Sequence, residues 1–138
     1  MSLAWIMLYK VSEKKIYLTG GMYMTEIIKE EMSSDMIFQL ISYSGDARSY
    51  IYEAYNTVRE GKYEECDSLL EKANEAIIEA HNMQTNLIHK EARGEKVEIN
   101  LLLVHAQDHL MNTLLAKDLV KNMINMQKEI NYLKEKIG

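Results

Sequence analysis

The sequence predicts an all-α fold, a three-helix antiparallel bundle. Three observations point to it. No proline and only 6 glycines occur in 138 residues, so the strongest helix breakers are nearly absent. From Met36 onward apolar residues recur at intervals of three and four, the period of a half-buried helix. Gly61 and Gly94 then divide that pattern into three runs, joined by links short enough to reverse the chain.

The first 31 residues stand apart from this pattern. Lys15-Ile16-Tyr17-Leu18-Thr19 is a weak strand-like patch, Gly20-Gly21 is a break, and no amphipathic face emerges. Residues 1–31 are therefore read as an irregular N-terminal extension to a domain spanning 32–138. Gly20-Gly21 can also be encoded by GGA-GGN, the purine-rich core of a bacterial ribosome-binding site, at an acceptable spacing from the codon of Met24. That makes Met24 a candidate natural start, with the preceding segment outside the natural protein.

Helix one is expected from Ser33-Ser34-Asp35, which supply N-cap candidates, to Arg59. Its apolar face is Met36, Ile37, Leu40, Ile41, Ser44, Ala47, Ile51, Ala54, Tyr55 and Val58. Gly45 costs that helix about 1 kcal/mol, so a close helix contact or a kink is expected there. Helix two is expected from Tyr63 to Arg93, burying Tyr63, Cys66, Leu69, Leu70, Ala73, Ile77, Ala80, Gln84 and Leu87. Helix three follows the link Glu95-Lys96-Val97 and is expected from Glu98 to Lys136.

Helix three is the longest, at about 39 residues. One of its faces carries His105, Asp108, Asn112, Leu115, Leu119, Met123, Met126, Ile130, Leu133 and Ile137, nearly a coiled-coil seam. Two neighbouring helices cannot cover that seam as well as the bundle core, so a second copy of the same helix in a symmetric oligomer is expected to cover it.

Composition excludes several classes. A net charge of −5 with Lys and Arg interleaved among Glu gives no basic surface for nucleic acid. The run Ala4 to Tyr9 is too short to span a bilayer and lacks the parts of a secretory signal. The lone cysteine, Cys66, has no partner for an internal disulfide, which suits a cytosolic compartment and a small buried core residue.

The functional clue is the polar top of the seam. Ionisable groups in a helix–helix seam are costly unless paired, metal-bound or chemically needed. His105, Asp108, His109 and Asn112 permit several readings. They could form a polar network that sets oligomer register, as a buried Asn does. They could bind metal, with His105 and His109 at i, i+4 and Asp108 beside them. Or one imidazole could be a nucleophile near neutral pH, assisted by the other one turn away. An ordinary hydrolase finds no serine or cysteine elbow and no phosphate-binding loop, and no Glu-x-x-His pair supports a di-iron bundle. His81 reads as a satisfied core residue and His89 as surface.

Three segments together resemble the IIA component of the lactose/cellobiose phosphotransferase system. They are Ser44-Gly45-Asp46-Ala47-Arg48-Ser49, Glu79-Ala80-His81-Asn82-Met83-Gln84-Thr85 and His105-Ala106-Gln107-Asp108-His109-Leu110-Met111. The resemblance runs from about Met32 to Asn131 and leaves residues 1–31 without a counterpart. It implies a cytoplasmic phosphocarrier that takes a phosphoryl group from the phosphohistidine of HPr and passes it to a cysteine of a cognate IIB. From there the group reaches a disaccharide entering through the membrane component IIC. The resemblance places the phosphoryl acceptor at His105, with His109 and Gln107 beside it. It also implies a homotrimer with helix three at the threefold seam, and one divalent ion, magnesium, held by three copies of Asp108. A small residue after the acceptor is usual in the family; here it is Ala106. In-line transfer between imidazoles needs a neutral His105 whose other nitrogen is held by an acceptor. The carbonyl of Leu101 or Leu102 is a candidate for that acceptor. The helix N-terminus, about two turns back on the expected boundary, is too far to act strongly.

Overall fold

The computed structural model describes residues 22–138, with side-chain surroundings from residue 34 onward. Its helices are α1 (Met22–Arg59), α2 (Tyr63–Ala92) and α3 (Leu101–Ile137), and no strand occurs among the described residues. Residues 1–21 lie outside the described part, and with them the strand-like patch at Lys15–Thr19 and the break at Gly20-Gly21. The expected start of the first helix is corrected. Helix α1 begins at Met22 and passes through Ser33, Ser34 and Asp35, so residues 22–31 are not irregular. No proline or glycine separates Met22 from that trio, and the intervening Met, Glu, Lys and Ile all sustain a helix.

Both glycine stops hold. Gly61 has φ +77° and Gly94 φ +79°, the left-handed conformation that favours a residue without Cβ. At the first stop Lys62 N–H donates to Thr57 O at 3.0 Å and Gly61 N–H to Val58 O at 3.0 Å. At the second, Glu95 N–H donates to Lys90 O at 3.1 Å and Gly94 N–H to Glu91 O at 2.9 Å. Each is the paired 6→1 and 5→2 closure that satisfies orphan carbonyls.

The core lies in two layers. One joins Ala47, Ile51, Ala54 and Val58 of α1 to Cys66, Leu69, Ala73 and Ile77 of α2 and to Val120 and Ile124 of α3. The other joins Ile37 and Leu40 to Ala80 and Leu87 and to Leu103, Ala106 and Leu110. The layers succeed one another in the same direction along α1 and α3 and in the opposite direction along α2, an up-down-up bundle. Polar pins fix the register of α1 on α3. Thr113 Oγ1 donates to Ser44 O at 3.0 Å, and further along Asn131 Nδ2 donates to Val58 O at 2.8 Å. Cys66 is fully buried; burial, reinforced by Asp67, pushes its thiol pKa up, as expected of an inert core residue.

Gly45 does not play the expected part. The close α1–α3 contact is made by Ser44, whose hydroxyl donates to Leu40 O at 2.7 Å, and the buried Ala47 completes the small-residue surface. A Cβ at Gly45 would meet nothing within 4 Å, and α1 continues through it.

Helix α3 buries Leu103, Ala106, Leu110, Thr113, Val120 and Ile124. Its seam points elsewhere. His105, Asp108, Asn112, Leu115, Leu119, Met123, Met126, Ile130, Leu133 and Ile137 are all exposed, Leu115 at 57% and Met126 at 62%. An unbroken apolar stripe thus runs down the outside of the chain.

Candidate functional site: a histidine pair at the head of the third helix

The site is set by where α3 begins. Asn100, in extended backbone geometry, caps the helix: its Oδ1 accepts from Leu103 N–H at 2.9 Å, and its carbonyl accepts from Val104 N–H at 3.1 Å. The first helical residue is therefore Leu101, not Glu98. His105 lies four residues further, about 6 Å along the axis, closer to the N-terminus than the expected two turns. Asn directly before an apolar run was the signal for this cap.

At 3.6 residues per turn, His109 stands only about 40° round α3 from His105, one turn on. Their ring centroids are 4.6 Å apart, with planes at 69°, edge to face. His105 is exposed and His109 half-buried. Among the described residues no hydrogen bond ties the His105 ring to the carbonyl of Leu101 or Leu102, and that expected anchor is not made. His109 is held from the main chain: Thr113 Oγ1 lies 2.8 Å from His109 O while also reaching Ser44 O at 3.0 Å. One hydroxyl proton serves both carbonyls, locking His109's turn against α1.

The His109 ring is unusual. Its Nδ1 is buried and meets no hydrogen-bond partner among the described residues. Its pKa is lowered, first by burial, then by the neighbouring His105 and by Arg48, with Asp108 opposing. Each of the lowering causes disfavours the imidazolium and favours the neutral ring, which carries one N–H.

Asp108 points outward on the seam, exposed, and its Oδ1 accepts from Asn112 Nδ2 at 2.8 Å. Gln107 goes the other way. About 200° round the helix from His105, it is half-buried and its Oε1 accepts from Gln84 Nε2 across the α2–α3 groove. Within one chain the structure therefore joins His105, His109 and Asp108 on one side and separates Gln107 from them. His81 and His89 are both exposed; for His81 this replaces the core reading. Among the described residues of a single chain no cluster of three or more His, Cys, Asp or Glu could hold a metal. None of the described helices is long and apolar enough to cross a membrane.

The fold and the site define a helical-bundle protein presenting paired imidazoles at the head of its last helix. Comparison with known proteins places it more closely. Residues 35–128 match the family described as "PTS system, Lactose/Cellobiose specific IIA subunit". The chain is 45% identical over 92 residues to the lactose-specific EIIA component of Staphylococcus epidermidis, covering 67% of this chain and 88% of that one. It is also similar to the crystal structure of the cellobiose-specific enzyme IIA of Bacillus anthracis, with TM-score 0.70, 49% identity and coverage of 72% and 92%. Another similar structure is the IIA(chitobiose)–HPr complex from the Escherichia coli phosphotransferase system, with TM-score 0.64, 33% identity and coverage of 72% and 96%. The chain belongs to the lactose/cellobiose-specific IIA family of the phosphotransferase system.

Proposed function

We propose that this chain is a cytoplasmic phosphocarrier. It accepts a phosphoryl group on His105 from phosphorylated HPr and passes it to the cysteine of a cognate IIB, which serves disaccharide uptake through IIC. The observation that carries this reading is the pairing of an exposed His105 with a half-buried His109 at 4.6 Å in a chain of the IIA family. That a IIA relative forms a complex with HPr supports the choice of donor.

The chemistry is in-line displacement at phosphorus. The lone pair of the attacking His105 nitrogen forms a P–N bond while the donor's P–N bond breaks, and the donor imidazole keeps the departing electron pair. Little covalent work falls to the protein, so positioning and charge neutralisation dominate. His105 is exposed enough to meet a partner's imidazole. His109, one turn on, presents its accessible edge to the same space, and its N–H can donate to a phosphoryl oxygen. With its N-terminus one turn before His105, α3 adds a modest favourable field for the arriving dianion.

The exposed seam is covered, on this reading, by two further copies in a homotrimer with α3 at the threefold axis. Burying Leu115, Leu119, Met123, Met126 and Ile130 would each contribute about 1.5–3 kcal/mol if complete. Asp108 on the same seam then meets its two equivalents. An outward carboxylate with one oxygen free of Asn112 suits a hard divalent cation, so three copies fit a single magnesium ion where one chain alone does not. When bound, the ion would neutralise the converging carboxylates. Gln107 serves the α2–α3 contact within its own chain.

The test is phosphorylation with phosphoenolpyruvate, enzyme I and HPr. His105→Ala is expected to abolish acceptance while helicity and oligomer mass persist, and His109→Ala to slow it. His81→Ala and His89→Ala should accept normally. The product should be acid-labile, base-stable and located by mass spectrometry on the peptide containing His105. Phosphate on His109, or full acceptance by His105→Ala, would overturn the assignment.

A further inference from the structure

Helix α1 carries a cation that the phosphocarrier reading has not yet used. Arg48 is half-buried, yet no carboxylate among the described residues pairs with it; the ion pairs present are Lys62–Glu60 and Arg93–Glu95. Its place on α1 is defined from both sides. The opposite flank of α1 faces α2, where Lys72 lies over the Tyr50 ring at 6.0 Å. Ser44, one turn before Arg48, is pinned to α3 through the Thr113 hydroxyl, which also holds the His109 carbonyl. Arg48 therefore lies on the α3-facing side of α1, one turn beyond the level of His109. Helical side chains lean toward the N-terminus and cover the preceding turn, which brings the Arg48 head back to that level. His109 stands at that level on α3, with the His105 ring 4.6 Å from its own. Gly45, next to Ser44 on the flank of α1 that also carries Arg48, leaves open space with nothing within 4 Å of where a Cβ would stand.

We propose that Arg48 is a phosphoryl-binding residue of this site, its guanidinium gripping the oxygens of the group as it moves onto His105. The inference rests on the phosphocarrier reading above. Five N–H donors in a planar fork match two phosphoryl oxygens at once. The positive charge offsets negative charge on the three equatorial oxygens while the donor P–N bond breaks and the His105 P–N bond forms. The group is transferred without gain or loss of a proton: His105 attacks through its unprotonated nitrogen, and the donor imidazole departs with the electron pair. An unpaired, half-buried arginine on the side of α1 that faces the imidazole pair is what an anion-receiving site requires and what a folding core does not.

The experiment compares parent, Arg48→Gln and Arg48→Lys, each first checked for helicity and oligomer mass. Phosphorylation is measured with two donors, phospho-HPr and the small donor phosphoramidate. Loss of a charge-assisted contact should lower the maximal rate of Arg48→Gln about 10- to 100-fold with both donors, while Arg48→Lys recovers part of it. Parental rates in Arg48→Gln would overturn the proposal. So would a rise in KM for phospho-HPr alone with phosphoramidate unaffected, which would make Arg48 a docking contact. If Arg48→Gln fails to assemble, Arg48→Lys decides: a parental rate overturns the proposal and a reduced maximal rate with both donors supports it. Failure of the parent to take phosphate on His105 would instead sink the phosphocarrier reading, so the two failures are distinguishable.

Discussion

Thr113 is the joint on which the site's geometry turns, and Thr113→Val tests it. The residue is fully buried, and its hydroxyl lies 3.0 Å from Ser44 O and 2.8 Å from His109 O. One proton shared by two acceptors counts as about one hydrogen bond, a net contribution of about 1 kcal/mol. Both carbonyls are inside helices and keep their main-chain partners, so valine leaves no orphaned carbonyl. Its similar shape leaves no cavity. The expected loss is therefore about 1 kcal/mol, a factor of about five in the folding equilibrium, or roughly 4–8 °C in Tm for a domain near 100 residues. Thr113→Ala adds a cavity and should cost more. Urea unfolding at matched protein concentration is the assay, because association shifts apparent stability. With this tie between α1 and the His109 turn gone, phosphate acceptance should also fall in Thr113→Val while His105 itself is untouched. A Thr113→Val protein at least as stable as the parent would refute the claim that this hydroxyl ties the two helices.

Two further expectations follow from the same side chains. The folded-state pKa of His109 is lowered, so below about pH 6.5, the ordinary imidazole value, the unfolded chain binds more protons than the folded one. Stability should then decline as pH falls through that value and level off beneath the lowered one. Urea midpoints between pH 5 and 8, measured with chelator present, should show this slope reduced in His109→Gln, and equal slopes would contradict it. On the proposed threefold axis, three Asp108 carboxylates about 4 Å apart would repel by roughly 4 kcal/mol per pair at an effective dielectric of 20. Chelator should therefore lower the parent's Tm and leave that of Asp108→Leu unchanged; a parent indifferent to chelator would remove the metal from the proposal.

The sequence alone determined the helical class, the two glycine stops and most of the core. These are properties of local periodicity and backbone geometry: Leu40, Ile51, Ala73 and Ala80 recur at helical spacing, and Gly61 and Gly94 stand where φ turns positive. It also determined that His105 and His109 share a face, because i and i+4 always do. What only the tertiary structure decided concerns which face meets which neighbour. The ten-residue seam of α3 points away from the bundle because Leu103, Ala106, Leu110 and Thr113, on average about 160° round the helix, complete the core instead. Helical period alone does not distinguish a stripe buried within the chain from one left outside it. Gln107 neighbours the acceptor in sequence but turns toward Gln84, since residues two apart lie on opposite sides of a helix. Arg48, some sixty residues earlier, joins the site because the shared core and the Thr113 and Asn131 hydrogen bonds hold its helix against α3, contacts across two loops that no local pattern encodes.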